Sequence, residues 1–205
     1  MHVDWRERYE RAAARYAAGE TRKPDERQLV QLANSAWAAG LSLLMAGDRE
    51  AAAEWLRRSA ARYRESWDAG GSADAWGRPL GAMKARLIAG DDASETAHWT
   101  LETCLGARHR DMSISPIGRY AEALALLVLG RDAEAADAVA TLGDYFPSDV
   151  AAALSALASR DAAGYGVAVD SVRRSFEERQ AFLEDVPVSD TALALDVLAA
   201  GRGLI

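Results

Sequence analysis

The stretch Leu44-Met45-Ala46-Gly47-Asp48-Arg49-Glu50-Ala51-Ala52-Ala53-Glu54-Trp55 holds the decisive pattern of this chain. An apolar helical run stops at Gly47, Asp48 follows as a capping residue, and an alanine-rich run with an aromatic residue starts at once. The same phrasing returns at Ile88-Ala89-Gly90-Asp91-Asp92 with Trp99 behind it, and again at Gly130-Arg131-Asp132. Weaker copies stand at Ser159-Arg160-Asp161 and at Gly201-Arg202. The anchors Gly47, Gly90, Gly130, Ser159 and Gly201 lie 43, 40, 29 and 42 residues apart, which scatters around the length of a helix-turn-helix unit.

Working outward, residues 3 to 18 predict a short helix with Trp5, Tyr9, Ala12, Ala13 and Tyr16 on one face. A long helix follows from about Glu26 to Ala46, its inward stripe formed by Leu29, Leu32, Ala33, Ala36, Trp37, Gly40, Leu41, Leu44 and Met45. Its partner runs to Trp67 with Ala52, Trp55, Leu56, Ser59 and Tyr63 facing inward. The whole chain predicts an all-α domain over 1–205: an N-terminal helix at 1–19, helical hairpins at 26–67, 78–105, 116–143 and 148–184, and a capping helix at 190–200. That amounts to about nine or ten helices in stacked antiparallel hairpins, as an α-solenoid or a compact α-α superhelix. A hairpin of two amphipathic helices cannot bury its apolar stripe alone, so neighbours stack and share a core.

The first hairpin resembles a tetratricopeptide repeat. That family places a small residue in the first helix, a Gly-Asp turn after it, then an alanine, a large apolar residue and a second alanine. Gly40, Gly47-Asp48, Ala52 and Leu56 stand at those positions, with Ser59 in place of the last alanine. The match is good over residues 33 to 66 and fair over 117 to 142, whereas Glu95 stands where the second copy should carry alanine. The resemblance implies a groove that binds a peptide or protein. Residues 117 to 204 also resemble the C-terminal half of all-helical immunity proteins from bacterial polymorphic-toxin systems, which implies a toxin as the bound protein.

Half of the 205 residues are apolar and the net charge is −7. That balance argues against a nucleic-acid partner, since neutralising phosphates needs a surplus of Lys and Arg. The only cysteine, Cys104, leaves no internal disulfide framework, and the start MHVDWRERYE is charged from residue 4. No run of about 18 apolar residues occurs. The expectation is a cytoplasmic protein without a membrane segment and without a cofactor.

Chemistry could concentrate in residues 98 to 113, where His98 and Glu102 share a helical face and Cys104, His109 and Asp111 follow. A metal-dependent hydrolase built on His98, Glu102 and His109 is the enzymatic alternative, although neither an HEXXH nor a CXXC spacing is present. The glycine-rich stretch at 68 to 79 lacks the Lys-Ser/Thr ending of a phosphate loop. Ser115 suits a cap before Pro116. With no paired catalytic constellation, the leading expectation is a non-enzymatic interaction module for a protein or peptide. Its binding residues lie on first helices and their approaches: Asn34, Trp37, Trp76, Arg78, Lys84, Arg119 and Tyr120. The runner-up is a toxin-neutralising immunity protein, and a second copy of the chain is a further candidate occupant of the groove.

Overall fold

The computed structural model describes residues 3–20, 23–70, 75–106 and 115–205. They form ten α-helices and no strand: α1 (Trp5–Gly19), α2 (Glu26–Met45), α3 (Arg49–Asp68), α4 (Gly77–Ala89), α5 (Ser94–Trp99), α6 (Pro116–Val128), α7 (Asp132–Ala140), α8 (Ser148–Ser159), α9 (Ala162–Glu177) and α10 (Asp190–Gly201). A π-helical stretch, Thr100–Leu105, continues α5, and a 3-10 turn, Leu183–Asp185, stands between α9 and α10. Among the described residues no helix is long and apolar enough to cross a membrane.

The helices gather into two compact units, Met1–Asp91 with Arg179–Val188, and Asp92–Glu178 with Ser189–Ile205. The division falls inside the second turn, between Asp91 and Asp92. The residues expected as one hairpin at 78–105 serve different neighbours: α4 packs on α3, while α5 and the π-helical stretch pack on α6.

In the first unit α2 lies between α1 and α3, and α4 packs on the far side of α3. The Asp25 side chain accepts from the Gln28 backbone N–H at 2.9 Å and Gln28 Oε1 accepts from the Asp25 N–H at 3.0 Å, a reciprocal cap that sets where α2 begins. Flanked on both sides, α2 is buried all round from Ser35 to Leu43, and not along one stripe only. Met45, expected inward, is 45% exposed. The small residues carry the close packing. A Cβ on Gly40 would stand 2.7 Å from Leu56 Cγ, and one on Gly81 would stand 2.7 Å from the Tyr63 ring. Ser59, the departure from alanine, donates its hydroxyl to the Ala33 carbonyl at 2.9 Å and ties α3 to α2.

Trp55 packs edge-on against Tyr9 and Tyr16, at ring separations of 6.1 and 5.3 Å, with the Arg58 guanidinium 4.6 Å above its face. Arg62 reaches the Tyr16 hydroxyl at 3.1 Å and pairs with Glu20 and Glu65. Arg62 of α3 therefore anchors α1.

The second unit is built on α6 to α10, with Leu124, Leu127, Leu154, Leu157, Tyr165 and Leu195 fully buried. The Tyr165 hydroxyl donates to Asp196 at 2.7 Å and Arg173 donates to the same carboxylate at 2.6 Å, joining α9 to α10. Asp132 accepts from Arg160 at 3.0 Å and from Arg202 at 3.1 Å, and Arg202 also donates to the Leu127 carbonyl. One carboxylate thereby ties the ends of α8 and α10 to the start of α7.

The repeated phrase has a single backbone meaning. Five helices, α2, α4, α6, α8 and α10, end in the same six-residue loop closed by an N–H to carbonyl bond: Asp48 to Leu43, Asp91 to Arg86, Arg131 to Leu126, Asp161 to Ala156, and Leu204 to Ala199. The residue before each donor is left-handed: Gly47, Gly90, Gly130, Arg160 and Gly203, with φ of 89°, 79°, 68°, 57° and 69°. Two anchors are corrected. Gly201 belongs to α10 and Gly203 makes the turn, while Arg160, not Ser159, takes the left-handed position. The aspartates also divide by role. Asp48 and Asp161 cap the next helix, accepting from Ala51 at 3.2 Å and Gly164 at 2.9 Å. Asp91 starts no helix, since α5 begins at Ser94; it is clamped by Arg57 at 2.7 Å and Arg86 at 3.0 Å.

Candidate functional site

Most of the expected binding residues are committed to the interior of the first unit. Asn34 Oδ1 accepts from the Tyr63 hydroxyl at 2.6 Å. Trp37 is buried on α2, and Trp76 is only 5% exposed, its ring 5.7 Å from that of Trp67. Arg78, expected as a binding residue, donates to the Ser66 carbonyl at 2.8 Å and to the Glu26 carboxylate. Lys84 is half-buried on α4. In the second unit Tyr120 is buried, edge-on to Phe146 at 5.4 Å. These aromatic and charged side chains knit helices together, which is why spacing alone could not separate them from groove residues.

Arg119 is different, because it lines a pocket of about 390 Å³ in the second unit. Successive turns of α6 bring Arg119, Glu122 and Leu126 to one face, and α7 supplies Glu134, Asp137 and Ala138, with its flanking residues Arg131 and Thr141. Leu101 enters from the π-helical stretch, a local widening that is rare and frequent at functional sites. Leu101, Leu126 and Ala138 give the pocket an apolar floor. The rim carries both signs of charge.

The rim charges are largely matched. Arg119 donates to Glu122 at 2.7 Å, and Arg131 Nε donates to Glu134 at 2.7 Å while its Nη2 reaches the other carboxylate oxygen. Hydrogen bonding to Arg131 holds the Glu134 carboxyl below the ordinary carboxylate range, and the same bond raises Arg131. Asp137 is exposed and its carboxylate has no partner among the described residues. Among the described residues the rim therefore presents one unmatched negative charge over an apolar floor.

Residues 117 to 142 hold all but one member of this pocket, and of them only Arg119 is expected from the sequence as a binding residue. The missed members share a signal: charged residues at i and i+3 on both α6 and α7, with apolar residues a turn further on.

Of the residues that suggested a metal site, His98, Glu102 and Cys104 are described. His98 Nδ1 and Glu102 Oε1 are 3.2 Å apart on an exposed face, but Cys104 is fully buried. His109, Asp111 and Ser113 lie outside the described residues. Among the described residues no group of three or more His, Cys, Asp or Glu is placed to hold a metal ion. Ser115 accepts from the Gly118 N–H at 3.3 Å and caps α6. No family model, curated protein or solved structure matches this chain.

Proposed function

We propose that the chain is a non-enzymatic interaction module of tetratricopeptide-like helical hairpins, whose α6–α7 groove takes a segment of a protein partner. The observation that carries this reading is the pocket between Arg119 and Thr141: an apolar floor with a charged rim whose spare charge is Asp137. A segment with an apolar residue for the floor and a Lys or Arg for Asp137 fits that chemistry. Apolar contact supplies the affinity there, and charge matching supplies register and selectivity. A bound toxin would make the module an immunity-type protein.

The test replaces Thr141, at the pocket edge, with a photo-cross-linking amino acid, using Val167 on α9 as the control position. A discrete adduct with one identified protein at position 141, absent at 167 and weakened by Asp137→Lys, supports the reading. No adduct at 141, or one indifferent to Asp137→Lys and Arg119→Glu, overturns it.

A further inference from the structure

A second pocket, in the first unit and independent of the α6–α7 groove, has its own chemistry. It measures about 360 Å³ and is lined by Arg15, Ala18 and Gly19 of α1, Gln28, Gln31, Leu32 and Ser35 of α2, and Glu184. The volume falls in the range of small-ligand sites, roughly 300–1,000 Å³.

Ser35 is the observation that points to a ligand. It is 6% exposed, it sits in the middle of a helix, and its hydroxyl makes no hydrogen bond within the described protein. Its oxygen is open on the pocket side, where water or a ligand hydroxyl completes its hydrogen bonding. Two amides stand on the same stripe of α2. Gln28 spends its oxygen on the α2 cap and keeps its NH2 uncommitted, and the exposed Gln31 side chain is engaged by neither neighbour nor cap.

Glu184 is brought in by the returning segment Arg179–Val188. Val186 and Val188 are buried, Arg8 donates to the Asp185 carbonyl, and Glu184 and Asp185 are both held left-handed at φ of 53° and 58°. Non-glycine residues seldom adopt that conformation, and strained backbone of this kind clusters at ligand clamps. The result is a Glu184 carboxylate 2.9 Å from Arg15 at the pocket wall.

The lining limits the ligand. Arg15 and Glu184 neutralise each other, so a net charge entering the pocket would displace a pair without being matched. The remaining groups are neutral and can both donate and accept. The lining from Leu32, Ala18 and Gly19 is apolar, with Gly19 so close to Leu32 that a Cβ would stand 3.2 Å from Leu32 Cδ2. Among the described residues no aromatic ring lines the pocket to stack on a planar base. We propose that this pocket binds a neutral polyhydroxylated ring of monosaccharide size, with one C–H face on Leu32 and its hydroxyls on Gln28, Gln31, Ser35 and the Arg15–Glu184 pair.

Nuclear magnetic resonance of the full chain tests this with D-glucose, D-galactose and myo-inositol as probes and uracil as the contrasting one. The side-chain NH2 signals of Gln28 and Gln31 are expected to shift saturably with at least one of the three polyols. Ser35→Ala and Gln31→Ala should each weaken that binding roughly three- to tenfold, the worth of one neutral hydrogen bond. Gln31 is exposed and alanine favours a helix, so both variants should keep the far-ultraviolet spectrum of the parent. Silence with all three polyols, a response to uracil alone, or shifts of equal size in both variants overturns the proposal.

Discussion

Leu56 occupies the space over Gly40: its Cγ lies 2.7 Å from where a Cβ on Gly40 would stand, and the Ala52 carbonyl oxygen lies 3.1 Å away. Backbone on one side and a core leucine on the other leave the alanine methyl nowhere to go. Gly40→Ala should destabilise the protein by about 1–3 kcal/mol despite the better helix propensity of alanine. Urea unfolding checks this. Leu56→Ala paired with Gly40→Ala should cost less than the sum of the two single changes, because the residues share one space.

The left-handed turns make a contrasting case. Nothing lies within 4 Å of a Cβ on Gly130, so Gly130→Ala meets strain only, about 1–2 kcal/mol. Arg160→Gly relieves the same strain and gives up a solvent-exposed pair with Asp132 worth at most about 1 kcal/mol. A rise in thermal midpoint for Arg160→Gly beside a fall for Gly130→Ala is the expected outcome. A fall in both would mean that the ion pair outweighs the backbone.

Burial pushes the Tyr165 phenol far above its ordinary range, and its bond to the Asp196 carboxylate adds to the shift. Folding therefore favours the protonated phenol. The unfolded chain ionises near pH ~10, so the stability held by Tyr165 is fully present below that pH and is lost as pH rises beyond it. Tyr165 should yield its tyrosinate absorbance only together with the loss of helix. Tyr165→Phe should remove that late step, at a loss of about 1–3 kcal/mol at neutral pH because Asp196 forfeits a donor.

Asp91 shows the opposite sign. Its hydrogen bonds from Arg57, then Arg86, hold the carboxyl below the usual range against a smaller opposing effect of burial. The stability this pair of bonds confers is present above the unfolded value near ~3.9 and is lost as pH falls through the folded one. Asp91→Asn should be less stable than the parent at neutral pH, and the gap should close as the solution is acidified below pH ~4. A pH-independent gap in urea midpoints would show that the Asp91 charge contributes nothing.

Helix positions were legible along most of the chain because a helix start or stop is a local matter. Asp25, Asp48, Ser115 and Asp161 each accept the backbone N–H three residues on, and the glycines after α2, α4 and α6 take the left-handed turn. The final turn was displaced by two residues, since Gly201 and Gly203 are equally permissive and only the bond from Leu204 to Ala199 selects between them. The α6–α7 groove was legible through Arg119 alone. Its other members are charged residues whose periodicity suits an ordinary solvated face equally well.

Helix starts and stops follow from the local sequence, because capping bonds and left-handed turns close within six residues of chain. The sequence also sets the close approach at Gly40, through the small residue opposite Leu56. Tertiary structure decided which partners the long side chains reach. Trp76 and Arg78 turn inward to Trp67, Ser66 and Glu26, Asp91 holds two arginines and starts no helix, and Glu184 returns across the chain to Arg15. Those contacts join residues far apart in sequence, where reach and desolvation set the outcome and neither leaves a periodic trace along the chain.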